Sequence, residues 1–94
     1  MATVIWSPQS LSDLESIAEY IAKDSPYYAK SFVEKIVNSV EVIEIFPQAG
    51  RRVPESDDEN VREIFYKKYR IIYELEEDRI EILTVFHSSR LLNF

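Results

Sequence analysis

Few residues in this sequence could act on a charged ligand, and most lie close together. Arg62, Lys67, Lys68 and Arg70 form a basic group, with Arg51 and Arg52 nearby in sequence. Such a group can contact RNA phosphates or the carboxylates of a protein. Lys67-Lys68 equally suits a polar hairpin turn that guards a sheet edge. Tyr66, Tyr69 and Tyr73 are interleaved with it. They fit either base stacking or the filling of a half-buried sheet face. His87 is the only histidine and cysteine is absent. Disulfides, thiol catalysis, cysteine-ligated zinc and a multi-histidine metal site are therefore excluded. Gly50 is the only glycine, which removes both a nucleophile elbow and a phosphate-cradling loop. The acidic run PESDDEN (Pro54 to Asn60) lacks the alternating ligands and central glycine of a calcium loop. No metal and no cofactor are expected.

The frame for these residues is small and acidic. The 94 residues carry a formal charge of −6, with 46% hydrophobic and 30% charged residues. That is the balance of one globular domain, spanning 1–94, and not of a disordered chain. It disfavours a mechanism that needs a basic surface over the whole molecule. No apolar run approaches a membrane span and no signal peptide is evident, so a cytoplasmic protein is expected.

Thr3 to Trp6 reads as a strand, and Ser7-Pro8 as a helix start, with a hydroxyl cap and a proline where its missing N–H costs nothing. Leu11, Leu14, Ile17, Ala18 and Ile21 then recur at helical spacing, and the helix ends near Lys23. Ser25-Pro26 repeats the signal. Ala29, Phe32, Val33, Ile36, Val37, Val40 and Ile43 form the stripe of a second helix that stops before Pro47. The short connection makes the two an antiparallel hairpin. Val61–Tyr66, Tyr69–Leu75 and Arg79–Phe86 are β-branched and aromatic, with gaps that force an antiparallel meander. Arg51 to Pro54 could add an edge stretch. The expected fold is α+β, in the order β-α-α-β-β-β, with the helical hairpin on one face of a small antiparallel sheet. The strands carry Ile64, Ile71, Ile80 and Ile82 in one set and Phe65, Ile72, Leu83 and Val85 in the other. One helix layer covers one face, so the second set is expected to await a partner.

Trp6 at the end of the first strand, the two capped helices, FPQAGRRVPE (Phe46 to Glu55), YRIIY and VFHSSR together resemble the RelE/ParE superfamily, the toxins of bacterial type II toxin–antitoxin modules, also called plasmid-stabilisation proteins. The resemblance implies growth inhibition, neutralised by a cognate antitoxin that wraps the toxin with a helix and often an added strand. It also implies one of two targets. ParE-like members inhibit DNA gyrase; RelE-like members cleave mRNA on the ribosome without a metal. RRVPE and VFHSSR, with the acidic charge, favour the ParE-like side. The nuclease alternative needs a base, a cation and an acid, with Glu55, Arg70, His87 and Arg90 as candidates; the resemblance matches Glu55, Arg70 and His87 to the Glu, Arg and C-terminal His of one RelE-like nuclease site. The aromatic that often ends that site is replaced by Ser88-Ser89. For contact with target or antitoxin the candidates are Arg51, Arg52, Arg62, Lys67, Lys68, Arg90 and the apolar tail residues Leu91, Leu92 and Phe94. A non-toxic binding module, a decayed toxin, is the further alternative, and self-association stays open.

Strand parity bears on the site. A two-residue Lys67-Lys68 turn sets Phe65 opposite Arg70 and Glu63 opposite Ile72. A two-residue turn at Glu77-Asp78 sets Arg70 opposite Val85, with His87 diagonal on the same face. A one-residue slip separates them. Arg70, His87 and Glu55 each also fit a plainer role, as a structural, partner-contact or loop-capping group.

Overall fold

A computed structural model describes residues 2–89. The elements are β1 (Thr3–Trp6), α1 (Pro8–Ala22), α2 (Pro26–Ser39), α3 (Glu41–Ile45), β2 (Arg51–Arg52), β3 (Val61–Tyr66), β4 (Tyr69–Leu75) and β5 (Arg79–His87). Both helix starts are built as their residue types dictate. Ser7 Oγ accepts the Ser10 N–H at 3.0 Å and Ser25 Oγ accepts the Tyr28 N–H at 3.1 Å, each followed by proline in the first turn. The second helix does not run unbroken towards Pro47. The Ser39 hydroxyl donates back to the Ile36 carbonyl at 2.6 Å, a contact that competes with the helical ladder and bends the chain. The chain restarts as α3, and Val40 and Ile43 on either side of the break are both buried.

The sheet has five strands in the order β1-β5-β4-β3-β2. The expected fold class holds, with one refinement. β1 pairs with β5 in parallel while the other neighbours are antiparallel, because the chain leaves β1 through the helices, returns at the far edge as β2, and reverses three times before β5. The helices pack on one face. Leu14, Ile17, Phe32, Ile36, Val40 and Ile43 meet Ile71, Tyr73, Ile80, Ile82 and Val85 in the main core.

The turn after β4 is the expected one, with the Glu76 N–H donating to the Arg79 carbonyl at 2.9 Å. Beyond it, Tyr73 pairs with Ile82 but Ile72 pairs with Thr84, so Leu83 is the extra residue of a β-bulge. Every pairing past that point moves by one. Arg70 faces Phe86 instead of Val85, and Val85 turns into the helix-side core. Polar groups from the start of α1 hold the bulged stretch. Ser7 Oγ donates to the Leu83 carbonyl at 2.9 Å, and the Asp13 carboxylate accepts the Val85 N–H at 2.9 Å and the Thr84 hydroxyl.

The second sheet face, expected to stay open for a partner, is covered in part by the chain itself, while Ile5 on it stays 39% exposed. Segment 53–60, the strap between β2 and β3, lays Val53 and Glu55 on its β3–β4 part. Val53, Val61 and Ile72 are buried there, with Leu83 and Phe86 packed against them. An apolar side chain two residues before a carboxylate suits this face, because the strap can then supply grease to Ile72 and charge to Arg70 together. Phe65 at its margin stays 45% exposed.

Candidate functional site

Under the strap, alternation places Glu63 of β3 and Arg70 of β4 on the second face, two strand positions apart across the hairpin. Both are buried, Glu63 at 1% and Arg70 at 6% exposure. A buried charge must be paired and hydrogen-bonded, and these are. Arg70 Nε donates to Glu63 Oε1 at 2.6 Å, and its two terminal nitrogens donate to the two oxygens of Glu55 at 2.7 and 2.8 Å. Glu63 Oε2 accepts Arg51 Nε at 2.6 Å. The guanidinium of Arg70 also lies over the Phe86 ring, 5.2 Å from its centroid, and that of Arg51 lies at the same distance over Phe65. The fork-to-fork pair with Glu55, joined by Glu63 against the opposing cost of burial, drives the Arg70 pKa above its ordinary value. The cation is therefore permanent, and its donors face carboxylates of its own chain.

Glu55 and Arg70 are thus brought together, but His87 is not. The bulge puts His87 opposite Tyr69, on the helix side of the sheet, while Arg70 stands on the other side. The imidazole sits edge-on against Tyr69 at 5.4 Å, and its Nδ1 is engaged by the Ser89 hydroxyl at 2.8 Å. It lines an open groove of about 570 Å³ with Asp13, Ser16, Tyr20, Tyr69 and Ser89. The expected alignment of Arg70 and His87 on one face is corrected by that one extra residue.

The basic group is dispersed too. Arg51 belongs to the buried network. Arg52 donates to the Asp57 carbonyl at 3.2 Å. Arg62 points to the helix-side face with Tyr73, where it donates to the Gly50 carbonyl at 2.9 Å. Lys67 and Lys68 are exposed at the β3–β4 turn, and Lys67 Nζ stands 5.9 Å from the Tyr66 ring centre. Tyr66 and Tyr69 pack edge-on against Phe32, and Tyr73 is fully buried, its hydroxyl donating to the Pro47 carbonyl and accepting the Gly50 N–H. Arg90, Leu91, Leu92 and Phe94 lie outside the described residues.

Glu63 was not among the sequence-selected site residues, although a signal for it exists. It interrupts the apolar alternation of Val61 and Phe65 on a face that should be buried, so it demands a cation. Two other surface features stand out. An apolar groove of about 460 Å³ runs between α1 and α2, lined by Leu11, Leu14, Ala18, Ala29 and Val33. Glu74, Glu76 and Glu81 crowd at the far end of the sheet, their carboxylates within 4.8 Å of one another. Burial and the neighbouring acids Asp58, Glu76 and Glu81 raise the pKa of Glu74. Among the described residues no helix is long and apolar enough to cross a membrane.

Fold and site together define a class: a helical hairpin on one face of a mixed sheet, with an ion-paired arginine beneath a strap on the other. The chain belongs to the family of ParE toxins of type II toxin–antitoxin systems, whose model matches residues 4–92. It is 27% identical over 92 residues to "Toxin RelE2" of Caulobacter vibrioides, covering 97% of this chain and all of that protein. It is 33% identical over 87 residues to "Putative toxin Y4kP" of Sinorhizobium fredii, covering 90% of this chain and 86% of that one. A solved structure of the chromosomal ParDE system from P. aeruginosa superposes with a TM-score of 0.77 at 22% identity, covering 93% of this chain and 96% of that one. That likeness extends to the whole fold.

Proposed function

We propose that this toxin acts by binding a protein target, with DNA gyrase as the ParE-like candidate, and that it does not cleave RNA through Glu55, Arg70 and His87. The observation that carries this reading is the internal neutralisation of Arg70. Cleavage of a phosphodiester needs a base, a cation and an acid around one phosphate. Here the cation is 6% exposed and its fork is filled by Glu55 and Glu63, while the only imidazole lies across the sheet. The formal charge of −6 also opposes approach to a ribosome. Of the basic group Arg51, Arg52, Arg62, Lys67, Lys68 and Arg70, the exposed Lys67-Lys68 turn is the part that lies open to a target.

The partner is a cognate antitoxin, as in the ParDE system that this fold resembles. The α1–α2 groove supports that role, since its apolar walls suit the stripe of an amphipathic helix. Tightly controlled expression with DNA and protein synthesis followed separately tests the proposal. Early loss of DNA synthesis with breaks is expected. Early loss of translation with cut mRNA would instead favour the RelE-like nuclease, and normal growth would favour a decayed binding module.

A further inference from the structure

We propose that the strap formed by residues 53–60 is a movable cover over the second sheet face, and that the Glu55–Arg70 pair is its catch. The strap enters and leaves at neighbouring points, since the Val53 N–H faces the Val61 carbonyl at 3.4 Å. Swinging it breaks the bond from the Leu75 N–H to the Asn60 carbonyl at 2.8 Å but leaves the β3–β4 ladder from Val61 to Tyr66 paired. Past Glu55 and Ser56 its side chains are exposed, from Asp57 to Asn60. Much of its hydrogen bonding is internal: Ser56 N–H to the Val53 carbonyl at 3.1 Å, Asp58 N–H to Ser56 Oγ at 3.1 Å and Asn60 N–H to Asp58 Oδ1 at 2.8 Å. These bonds move with the strap. Contacts to the sheet come from the buried Val53, from Glu55 and, at the far end, from the Asn60 carbonyl, which accepts the Leu75 N–H of β4 at 2.8 Å, with Arg52 holding the Asp57 carbonyl at the edge.

Arg70 decides whether such an opening is tolerable. An arginine stripped of its sole carboxylate inside a protein would forbid it. Arg70 instead keeps Glu63 at 2.6 Å, and Glu63 keeps Arg51 at 2.6 Å. The ion network stays closed when the strap leaves. What is uncovered is an apolar floor of Ile72, Leu83 and Phe86 beside the two terminal nitrogens of Arg70. Opening is thus a local event of low free energy, distinct from global unfolding.

Native-state amide hydrogen exchange on the intact chain, with a series of low denaturant concentrations, tests this. The Ser56, Asp58 and Asn60 amides are expected to exchange far faster than those of β4, with almost no dependence on denaturant. Glu55→Gln removes the charge-assisted bonds and is expected to speed strap exchange roughly tenfold or more. Glu59→Gln, at an exposed strap carboxylate, is expected to leave it unchanged. Strap amides as slow as those of β4 with the same denaturant slope would overturn the proposal, and that comparison needs no variant. Strap exchange unaltered by Glu55→Gln would overturn the role of the catch.

Discussion

Arg70→Met removes the centre of the charge network and gives the sharpest test of its structural role. The Glu63 side chain is fully buried and would keep Arg51 alone, while Glu55 would lose its fork. Removing one member of a buried ion pair costs about 3–5 kcal/mol. The surviving Arg51–Glu63 bond at 2.6 Å and the exposure of Arg51 place the cost near the lower end, about 3 kcal/mol. For a domain of this size each kcal/mol moves the melting point by roughly 4–8 °C. Thermal unfolding of purified Arg70→Met should therefore fall by roughly 12 °C or more. Arg70→Lys keeps the charge but not the fork and should fall about half as far. Glu63→Leu combined with Arg70→Met should recover much of the loss, because an apolar pair of similar size carries no desolvation cost. An Arg70→Met protein melting within about 3 °C of the parent would refute the clamp, and would restore Arg70 as a spare cation free for chemistry.

Three further outcomes follow from local geometry. Gly50→Ala should destabilise by about 1–3 kcal/mol in urea unfolding, since a Cβ there would stand 2.5 Å from the Tyr73 hydroxyl and 2.7 Å from the Glu63 carbonyl. Lys67 holds a left-handed φ of 52° in the β3–β4 turn, so Lys67→Gly should stabilise by about 1 kcal/mol in the same assay. The raised pKa of Glu74 means that its favourable contribution is complete below the unfolded value of 4.5 and is lost as pH rises through the folded value. Glu74→Gln should therefore raise stability at pH 7 by about 0.5 kcal/mol and leave it unchanged below pH 4, as read from melting across that range.

Element order, helix caps and turn lengths were legible because each is a local matter. Ser-Pro at two helix starts, a change of period after Asn60 and two short polar gaps suffice for a helical hairpin on a meander. The bulge at Leu83 was not legible. It depends on Ser7 and Asp13 reaching across from α1 to serve the Leu83 carbonyl and the Val85 N–H, and strand alternation carries no trace of that reach. Its consequence was large, since one residue sent Val85 into the core and parted His87 from Arg70. The strap hid behind composition. A run as polar as PESDDEN reads as solvated, and its holds on the sheet are few: Glu55 on Arg70 and the Asn60 carbonyl on the Leu75 N–H, with Val53 buried just before it. Pairing of Glu63 opposite Ile72 was read correctly, yet its role as the counter-ion of Arg70 was a two-step inference left unmade. The break between α2 and α3 followed from the Ser39 back-bond, which the unbroken apolar stripe conceals.

The central claim concerns what the toxin acts on. Purified toxin added in parallel to a gyrase supercoiling reaction and to ribosomes programmed with mRNA decides it. Supercoiling should be lost while the message stays whole; cleaved message beside an unaffected gyrase would contradict the account.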